Sequence, residues 1–548
     1  MKNFIIYPIL MLVLIVLGIS NQVYSQNGWL NKKGEVRFGG PQKDEFTCMV
    51  KTEDGGYLFG GYSDSPIGSH KSQGSLGWDY WIVKTDANFN RLWDKTYGGT
   101  QSDYLYEIVG GSNGTFFLVG VSDSPKSGNK GIDLKGTSDI WCVKIDQNGN
   151  KLWEEALEGN ATGADRFISG AIGTRRGEYN EVYVLYNLVI PQNKQIGCRI
   201  VRFTEDPNAQ QQVWYSSDSY NNSLEEYHDI VYWQSGTDLK GFVIGGSKEE
   251  NGNKQFFTRW LKWGTNNDLV SDYTTIYRGN DLDVLTNIVS TSDGGYLLVG
   301  ISESEKGLDK SNPLCGSRDG WVIKISSTGT KLWDRTYGGP QIDNLTTVVE
   351  SIYRDGFYLG GTSNSYSGCH KGKNTRGGYD FWALKIDNWG GITAENTFGG
   401  SGNDELWDIE IASDGSCLLA GLSNSEVSGE KELYPLGATD FWMIKASISL
   451  VGLEESNFSD EKGVISVYHD QTKSSISIKL NDALVISEPM TLEVTNVLGQ
   501  VVYQQNQTKS DFSSNHLEIQ SLNFPAGVYH LRLNHGNESY VEKFIIER

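Results

Sequence analysis

A unit of about sixty residues recurs through most of the chain, and this repetition limits the fold more than any single motif does. Its clearest copy reads Asp319-Gly-Trp-Val-Ile-Lys-Ile-Ser-Ser-Thr-Gly-Thr-Lys-Leu-Trp-Asp-Arg-Thr-Tyr-Gly-Gly339. The order is an Asp, an aromatic run with a Lys inside it, a Gly or Asn turn, a Trp, and a Gly-Gly pair. It returns at 79–99, 139–159 and 380–400. Asp79 and Asp139 are 60 residues apart, Asp319 and Asp380 61, and Asp380 and Asp440 60. A supersecondary unit this small cannot bury its own apolar surface and must stack on its neighbours.

The two ends of the repeat region fit together. Residues 27–40 form the second half of a repeat with no first half, and Asp440-Phe-Trp-Met-Ile-Lys-Ala446 is a first half with no second. Split ends suit a ring closed by pairing the N-terminal strand with the last unit, whereas an open stack has no use for them. A second landmark, a strand ending in Gly before a polar cluster, occurs at 57–61, 116–120, 241–246, 296–300, 357–361 and 417–421, and 182–187 fills the gap in the spacing. The expected fold is all-β: a seven-bladed β-propeller over 26–447, each blade of four strands, closed by the N-terminal strand. Repeats three and four, at 160–279, keep the length and apolar pattern but lose most of the signature. Asp54-Gly55-Gly56, Asp293-Gly294-Gly295 and Asn148-Gly149 supply tight turns on one face. The long loops at 62–78, 121–138, 301–318, 362–379 and 422–439 then emerge on the opposite face, where a ligand is expected.

Bulk properties narrow the partners. The net charge of −21 argues against nucleic acid or an anionic membrane surface, since both need a basic stripe. An apolar run from Phe4 to Ile19 behind Lys2, then Val23-Tyr24-Ser25, has the layout of a secretory signal cleaved between Ser25 and Gln26. No later run is long enough to span a bilayer as a helix. Six cysteines in 548 residues are too few for a disulfide scaffold. Cys315 and Cys369 fall in equivalent long loops of adjacent repeats, where a bridge is possible. Cys48, Cys142, Cys198 and Cys417 read as small buried hydrophobes.

After a polar connector at 448–462 a different pattern begins at 463, with segments of a small Ig-like β-sandwich running to 548. Thr491-Leu-Glu-Val-Thr-Asn-Val-Leu-Gly-Gln-Val-Val-Tyr503, Phe524-Pro-Ala-Gly-Val-Tyr-His-Leu-Arg-Leu533 and Glu542-Lys-Phe-Ile-Ile-Glu-Arg548 resemble the type A sorting domain of the Bacteroidota type IX secretion system. Where that family usually has Tyr-Pro-Asn-Pro, this chain has Tyr468-His-Asp-Gln471. The resemblance implies the type IX machinery as a partner and a secreted or outer-membrane cell-surface location. The repeats also resemble the uncharacterised propeller repeats common in such proteins, which brings no activity with it.

The acids near each blade's start, Asp44, Asp103, Asp165, Glu226, Asp283, Asp343 and Asp404, have two readings: a cation-binding ring, or acceptors for backbone donors where blades join. Sevenfold repetition favours the second, so no cofactor is expected, with calcium the ion to test. His70, Lys71, His370 and Lys371 read as solvated loop residues. No nucleophile elbow, phosphate loop or zinc motif is present. The expected function is therefore non-enzymatic recognition of a glycan or protein by the long-loop face, through Trp78, His70, Lys71, Tyr366, His370, Lys371, Arg376, Tyr379 and Tyr434. A carbohydrate-active enzyme with carboxylates at the channel mouth and a structural part of the cell-surface or gliding apparatus are the rival readings.

Overall fold

The computed structural model describes residues 28–157, 171–176, 179–190, 195–204, 212–217, 225–235, 238–264, 268–412, 414–450, 465–470, 475–480, 490–496, 501–507, 516–520, 527–535 and 538–546. The expected cleavage point at Ser25 and Gln26 and the repeat acid Asp165 lie outside them. The described residues form strands and turns with no helix. They fall into two compact units, Met1–Gly452 and Leu453–Arg548.

In the first unit, sheet one runs Asp44–Lys51, Tyr57–Ser63, Asp79–Thr85 and Arg91–Tyr97, each strand antiparallel to the next. Four further sheets repeat this order: two (from Asp103–Gly110), three (from Ala171–Arg176), four (from Glu225–Ser235) and five (from Asp283–Ser290). Sheet six begins at Asp343–Glu350 and ends at Ile392–Phe398. Sheet seven contains Asp404–Ile411, Cys417–Ser423 and Asp440–Leu450, and takes Gly28–Phe38 from the other end of the chain as its fourth strand. One parallel pair, Trp29 with Glu395, joins sheets six and seven into a single eight-stranded sheet. The strand from Asp440 runs to Leu450, past the end of the repeat at Ala446 expected from sequence, because Gly28 to Asn31 extend the pairing beyond the repeat's own length.

The third strand explains why these sheets associate. Asp79–Thr85, Asp139–Ile145, Asp319–Ile325 and Asp380–Ile386 are buried at every position, so neither face of the sheet is left for solvent. Each sheet's first strand packs on the preceding sheet, and Asp44–Lys51 packs on sheet seven. Aromatic pairs cross the junctions. Tyr80 meets Trp141, Phe256 meets Trp321, Phe381 meets Trp442 and Phe441 of sheet seven meets Trp81 of sheet one, each with centroids 4.9 Å apart. Such tilted pairs add roughly 0.5–1.5 kcal/mol each beyond their buried area. The hydroxyls of Tyr97, Tyr277 and Tyr337 donate to the carbonyls of Gly149, Gly329 and Gly390 in the next sheet's hairpin. Gly149 has φ 75° and approaches the Trp93 ring so closely that a Cβ would sit 3.0 Å from it, so both conformation and space require glycine.

The second unit is a small two-sheet sandwich. Ile465–Asp470, Ser475–Leu480 and His516–Gln520 form one sheet; Val501–Gln507, Met490–Asn496, Gly527–His535 and Glu538–Ile546 form the other. Alternate residues Met490, Leu492 and Val494 face Ile476 and Ile478 in one core.

The N-terminal strand substitutes for a missing fourth strand in chemistry as well as geometry. Trp81, Trp141, Trp321 and Trp382 donate their indole N–H to Asp94, Glu154, Asp334 and Glu395, each 13 residues later. Trp442 donates to Glu35 at 2.8 Å, across 407 residues. Glu35 also accepts from the Glu432 amide at 2.8 Å and pairs with Lys32, as Asp94 accepts from Ser72 and pairs with Arg91. Glu35→Ala is expected to lower unfolding stability by about 3 kcal/mol, the scale of losing charged hydrogen bonds to a buried donor, measured as a shift in the urea midpoint at constant slope.

Candidate functional site

The long-loop face is built on a repeated buried charge array. Asp44, Asp103, Asp283, Asp343 and Asp404 are fully buried. In four of them Oδ2 accepts the amide of the second glycine of Gly-Gly: Gly40, Gly99, Gly339 and Gly400, at 2.6–2.8 Å. All five accept a serine hydroxyl from two residues past the end of the second strand, as Ser365 to Asp343 at 2.7 Å. That serine in turn accepts the amide of Gln341, and its counterparts do the same for Gln42, Gln101, Asp281 and Gly402. The Gly-Gly pair is forced by this closeness: a Cβ on Gly338 would lie 2.1 Å from Asp319 Oδ1, and one on Gly339 2.6 Å from Ser365 Cβ. These acids tie one sheet to the next.

A second set was visible in the sequence only as a landmark. Asp79, Asp319, Asp380 and Asp440, at the start of the third strand, accept the amides of Leu76, Cys315, Arg376 and Leu436 through Oδ2, while Oδ1 is buried without a donor. Burial, with the next sheet's first-strand Asp as a further cause, pushes Asp79 and Asp319 up to about 7 and Asp380 and Asp440 up to about 6.

Lys71 and Lys371, expected to be solvated ligand-face residues, are instead 2% and 3% exposed. The loop folds each one inward, between the two acids of its own repeat and over a tryptophan: Lys71 Nζ is 5.1 Å from the Trp81 ring and Lys371 Nζ 5.6 Å from the Trp382 ring. Lys130, Lys310 and Lys431 hold the same place. Burial lowers Lys71 and Lys371 to about 8. The acid of sheet four is Glu225, one residue before the expected Glu226; it begins the first strand two residues before the buried Tyr227, as Asp44 does before Phe46. Burial pushes Glu225 up, but Arg259 at 2.9 Å and Lys248 at 3.2 Å hold it below the ordinary range.

The other loop residues separate into anchors and exposed groups. His70 lies against the Phe38 ring and His370 against Tyr337, both lowered by burial. Arg376 pairs with Glu430 and with Asp380 at 3.6 Å, clamping one long loop to the next. Tyr366 and Tyr434 are 58% and 69% exposed, and Tyr379 and Trp78 are half-buried. Cys315 and Cys369 are placed as a bonded pair with Cα atoms 6.3 Å apart, while Cys48, Cys142, Cys198 and Cys417 are buried and form no disulfide. Asp146 accepts the amides of Asn148 and Asn150 at 2.8 Å, which is turn chemistry. Among the described residues no cluster of three or more His, Cys, Asp or Glu is arranged to hold a metal ion, and no helix is long and apolar enough to cross a membrane.

Trp78 opens onto a cleft of about 450 Å³ between the loops of sheets one and two, lined also by Asp64, Ser75, Thr100, Gln101 and Asp123. The Tyr62 ring braces Trp78 edge-on, with centroids 5.4 Å apart. Away from the loops, Glu107, Asp229 and Asp408 occupy equivalent bulges of three first strands. Asp229 accepts the amide of Ile288 and Asp408 that of Met49, each in the following sheet, and burial pushes both up to about 7.

Fold and loops together define an all-β repeat protein with a separate C-terminal β-sandwich. Residues 466–547 match the secretion system C-terminal sorting domain, and that segment belongs to this family; the chain is a type IX cargo, secreted or displayed at the cell surface. No curated protein sequence matches it. Similar solved structures include PorZ, an essential surface component of the type IX secretion system of Porphyromonas gingivalis, at 11% identity and TM-score 0.42 over 94% of this chain; this chain spans 61% of PorZ. Sqt1 of Chaetomium thermophilum (12% identity, TM-score 0.28, 72% of this chain and 70% of that one) and hydrazine synthase of Kuenenia stuttgartiensis (11%, 0.34, 63% and 95%) are also similar.

The raised third-strand acids set a pH dependence. Their folded values near 6–7 exceed the unfolded 3.8, so the folded chain holds extra protons between these limits. The stability they contribute is complete below about 4 and is lost as pH rises through 6–7. Urea midpoints are expected to fall from pH 5 to pH 8, and Asp319→Asn is expected to reduce that slope and raise stability at pH 8. Lys371→Ala is expected to cost about 3 kcal/mol by leaving buried carboxylates uncompensated. Peptide mapping without reductant is expected to recover residues 315 and 369 on one cross-linked peptide, and reduction to cost about 4 kcal/mol by the loop-entropy relation.

Proposed function

We propose that the first unit is a seven-bladed β-propeller, with the seven four-stranded sheets as its blades, and that it works as a non-enzymatic binding module outside the cell, recognising a glycan or protein through the long-loop face. One observation carries this reading. The residue before the third-strand Asp has the same backbone task at four junctions: the carbonyls of Trp78, Arg318, Tyr379 and Thr439 accept the amides of Asp103, Asp343, Asp404 and Asp44. The side chains on that fixed backbone are an indole, a guanidinium, a phenol and a hydroxyl. A framework held by buried bonds with free choice of the outward group is what a recognition surface requires.

Two further features support it. The titratable groups of the array are engaged with backbone amides, serines and lysines, which suits a scaffold better than a hydrolytic pair. Six exposed apolar and aromatic side chains, Ile67, Leu76, Leu308, Tyr366, Val427 and Tyr434, stand on the long loops, although others such as Leu92, Leu332 and Trp389 stand elsewhere. The sorting domain delivers this surface to the exterior. The test is a glycan array and a cell-surface pull-down with the full chain, wild type against Tyr366→Ala, Tyr434→Ala and Trp78→Ala combined. At least a tenfold loss of binding is expected at unchanged melting temperature; undiminished binding excludes this face.

A further inference from the structure

We propose that the cleft beside Trp78 is a saccharide subsite that takes a pyranose unit without acidic groups, neutral or amino-substituted, and turns anionic sugars away. The proposal rests on the long-loop face being the binding face, and it assigns a place and a ligand chemistry within it.

The junction between sheets one and two differs from its counterparts. In sheets two and five the side chain before the third-strand Asp bonds to the residue directly after the serine that ends the second strand. In sheet two these residues are Ser138 and Asp123, and the serine hydroxyl donates to the carboxylate. In sheet five they are Arg318 and Glu303, joined as an ion pair. In sheet one the same positions hold Trp78 and Asp64, and the two are not bonded to each other. The indole leans on Tyr62 instead, Tyr62 leans on Tyr104 at 5.0 Å, and Asp64 Oδ1 accepts only the Lys43 amide at 2.9 Å. Beside Trp78, where no such pairing spans the two positions, a cleft of about 450 Å³ lies in the range of small-ligand clefts.

The lining then sets the ligand class. A braced, half-buried indole offers an apolar plate for the C–H face of a pyranose. Around it stand the carboxylates of Asp64 and Asp123, the Gln101 amide and the hydroxyls of Ser75 and Thr100, groups suited to sugar hydroxyls. No Lys or Arg is in the lining. The buried Lys71 and Lys130 lie within electrostatic reach of Asp64 and Asp123 but stand behind the cleft wall rather than in it, so the groups a ligand meets are two carboxylates, which repel a uronate, sulfate or sialate and attract a hydroxyl or ammonium donor.

The test titrates the full chain by calorimetry with cellohexaose, mannohexaose and a chitosan hexamer, against hexagalacturonate and a sulfated hexasaccharide. At least one non-anionic hexamer is expected to bind saturably, with Trp78→Ala weakening it tenfold or more and Trp78→Phe restoring most of the affinity, which separates stacking from misfolding. Asp64→Asn with Asp123→Asn is expected to relax exclusion of hexagalacturonate. Preference of the wild type for an anionic hexamer, no binding of any non-anionic one, or an affinity within twofold in Trp78→Ala would overturn the proposal. Ligand binding that is lost in Tyr366→Ala with Tyr434→Ala but kept in Trp78→Ala would remove the cleft and leave the face; binding untouched by all three would remove both.

Discussion

Four sheets of the first unit, one, two, five and six, share one constraint: their third strand has no side that can face water. Seven consecutive buried residues, as in Asp380–Ile386, leave the sheet unstable until both faces are covered. The cover is another sheet of the same kind, and the contact is specific, since the third-strand aromatics Tyr80, Phe256 and Phe381 each reach the tryptophan of the following sheet at 4.9 Å. Phe441 on Trp81 satisfies the last sheet with the first. The same demand explains why the final sheet takes its fourth strand from the N-terminus: an outer strand with no acid to receive the Trp442 indole would leave a buried donor unpaired.

The junctions concentrate charge for a related reason. Loops that connect tightly stacked sheets carry amides out of the reach of water, and short acids and serines supply the missing acceptors. Two aspartates per junction are brought close enough to oppose each other's ionisation, and the inward lysine offsets part of that repulsion. Its stem covers a tryptophan while its head stays among carboxylates, which places a cation in the core without leaving it unpaired. With the interior of the loops fixed in this way, variety is confined to what points outward, and Trp78, Arg318 and Tyr379 differ accordingly.

Much of this was legible in residue spacing. The sixty-residue period, the split terminal repeats and the Asn-Gly and Asp-Gly turns gave sheets, strand order and the pairing of Gly28–Phe38 with the last unit. The acids Asp44, Asp103, Asp283, Asp343 and Asp404 sit where a backbone-acceptor role puts them. The inward lysines were misread because a lysine in a polar loop looks solvated; their signal was positional, a Lys eight or nine residues before the third-strand Asp in five repeats. The constant spacing of 13 from tryptophan to acid was equally readable. In sheet four, where most of the repeat signature is absent, the acid is displaced by one residue to Glu225, since alternation fixes which face a side chain takes and a single step reverses it.

Sequence by itself determined the repeating architecture and the export route, because both are written in local patterns: a period, a set of turns, and a tail whose strands keep their order. Only the tertiary structure decided which polar residues face inward and where the surface opens. Lys71 and Trp78 are seven residues apart in one loop, yet one is sealed beneath the other's neighbours and the other borders a cleft. That outcome depends on Asp44, Asp79 and the Trp81 ring for the lysine, and on Tyr62 and residues of the next sheet for the tryptophan. Burial and opposing charge are properties of neighbours in space, and no local spacing records them.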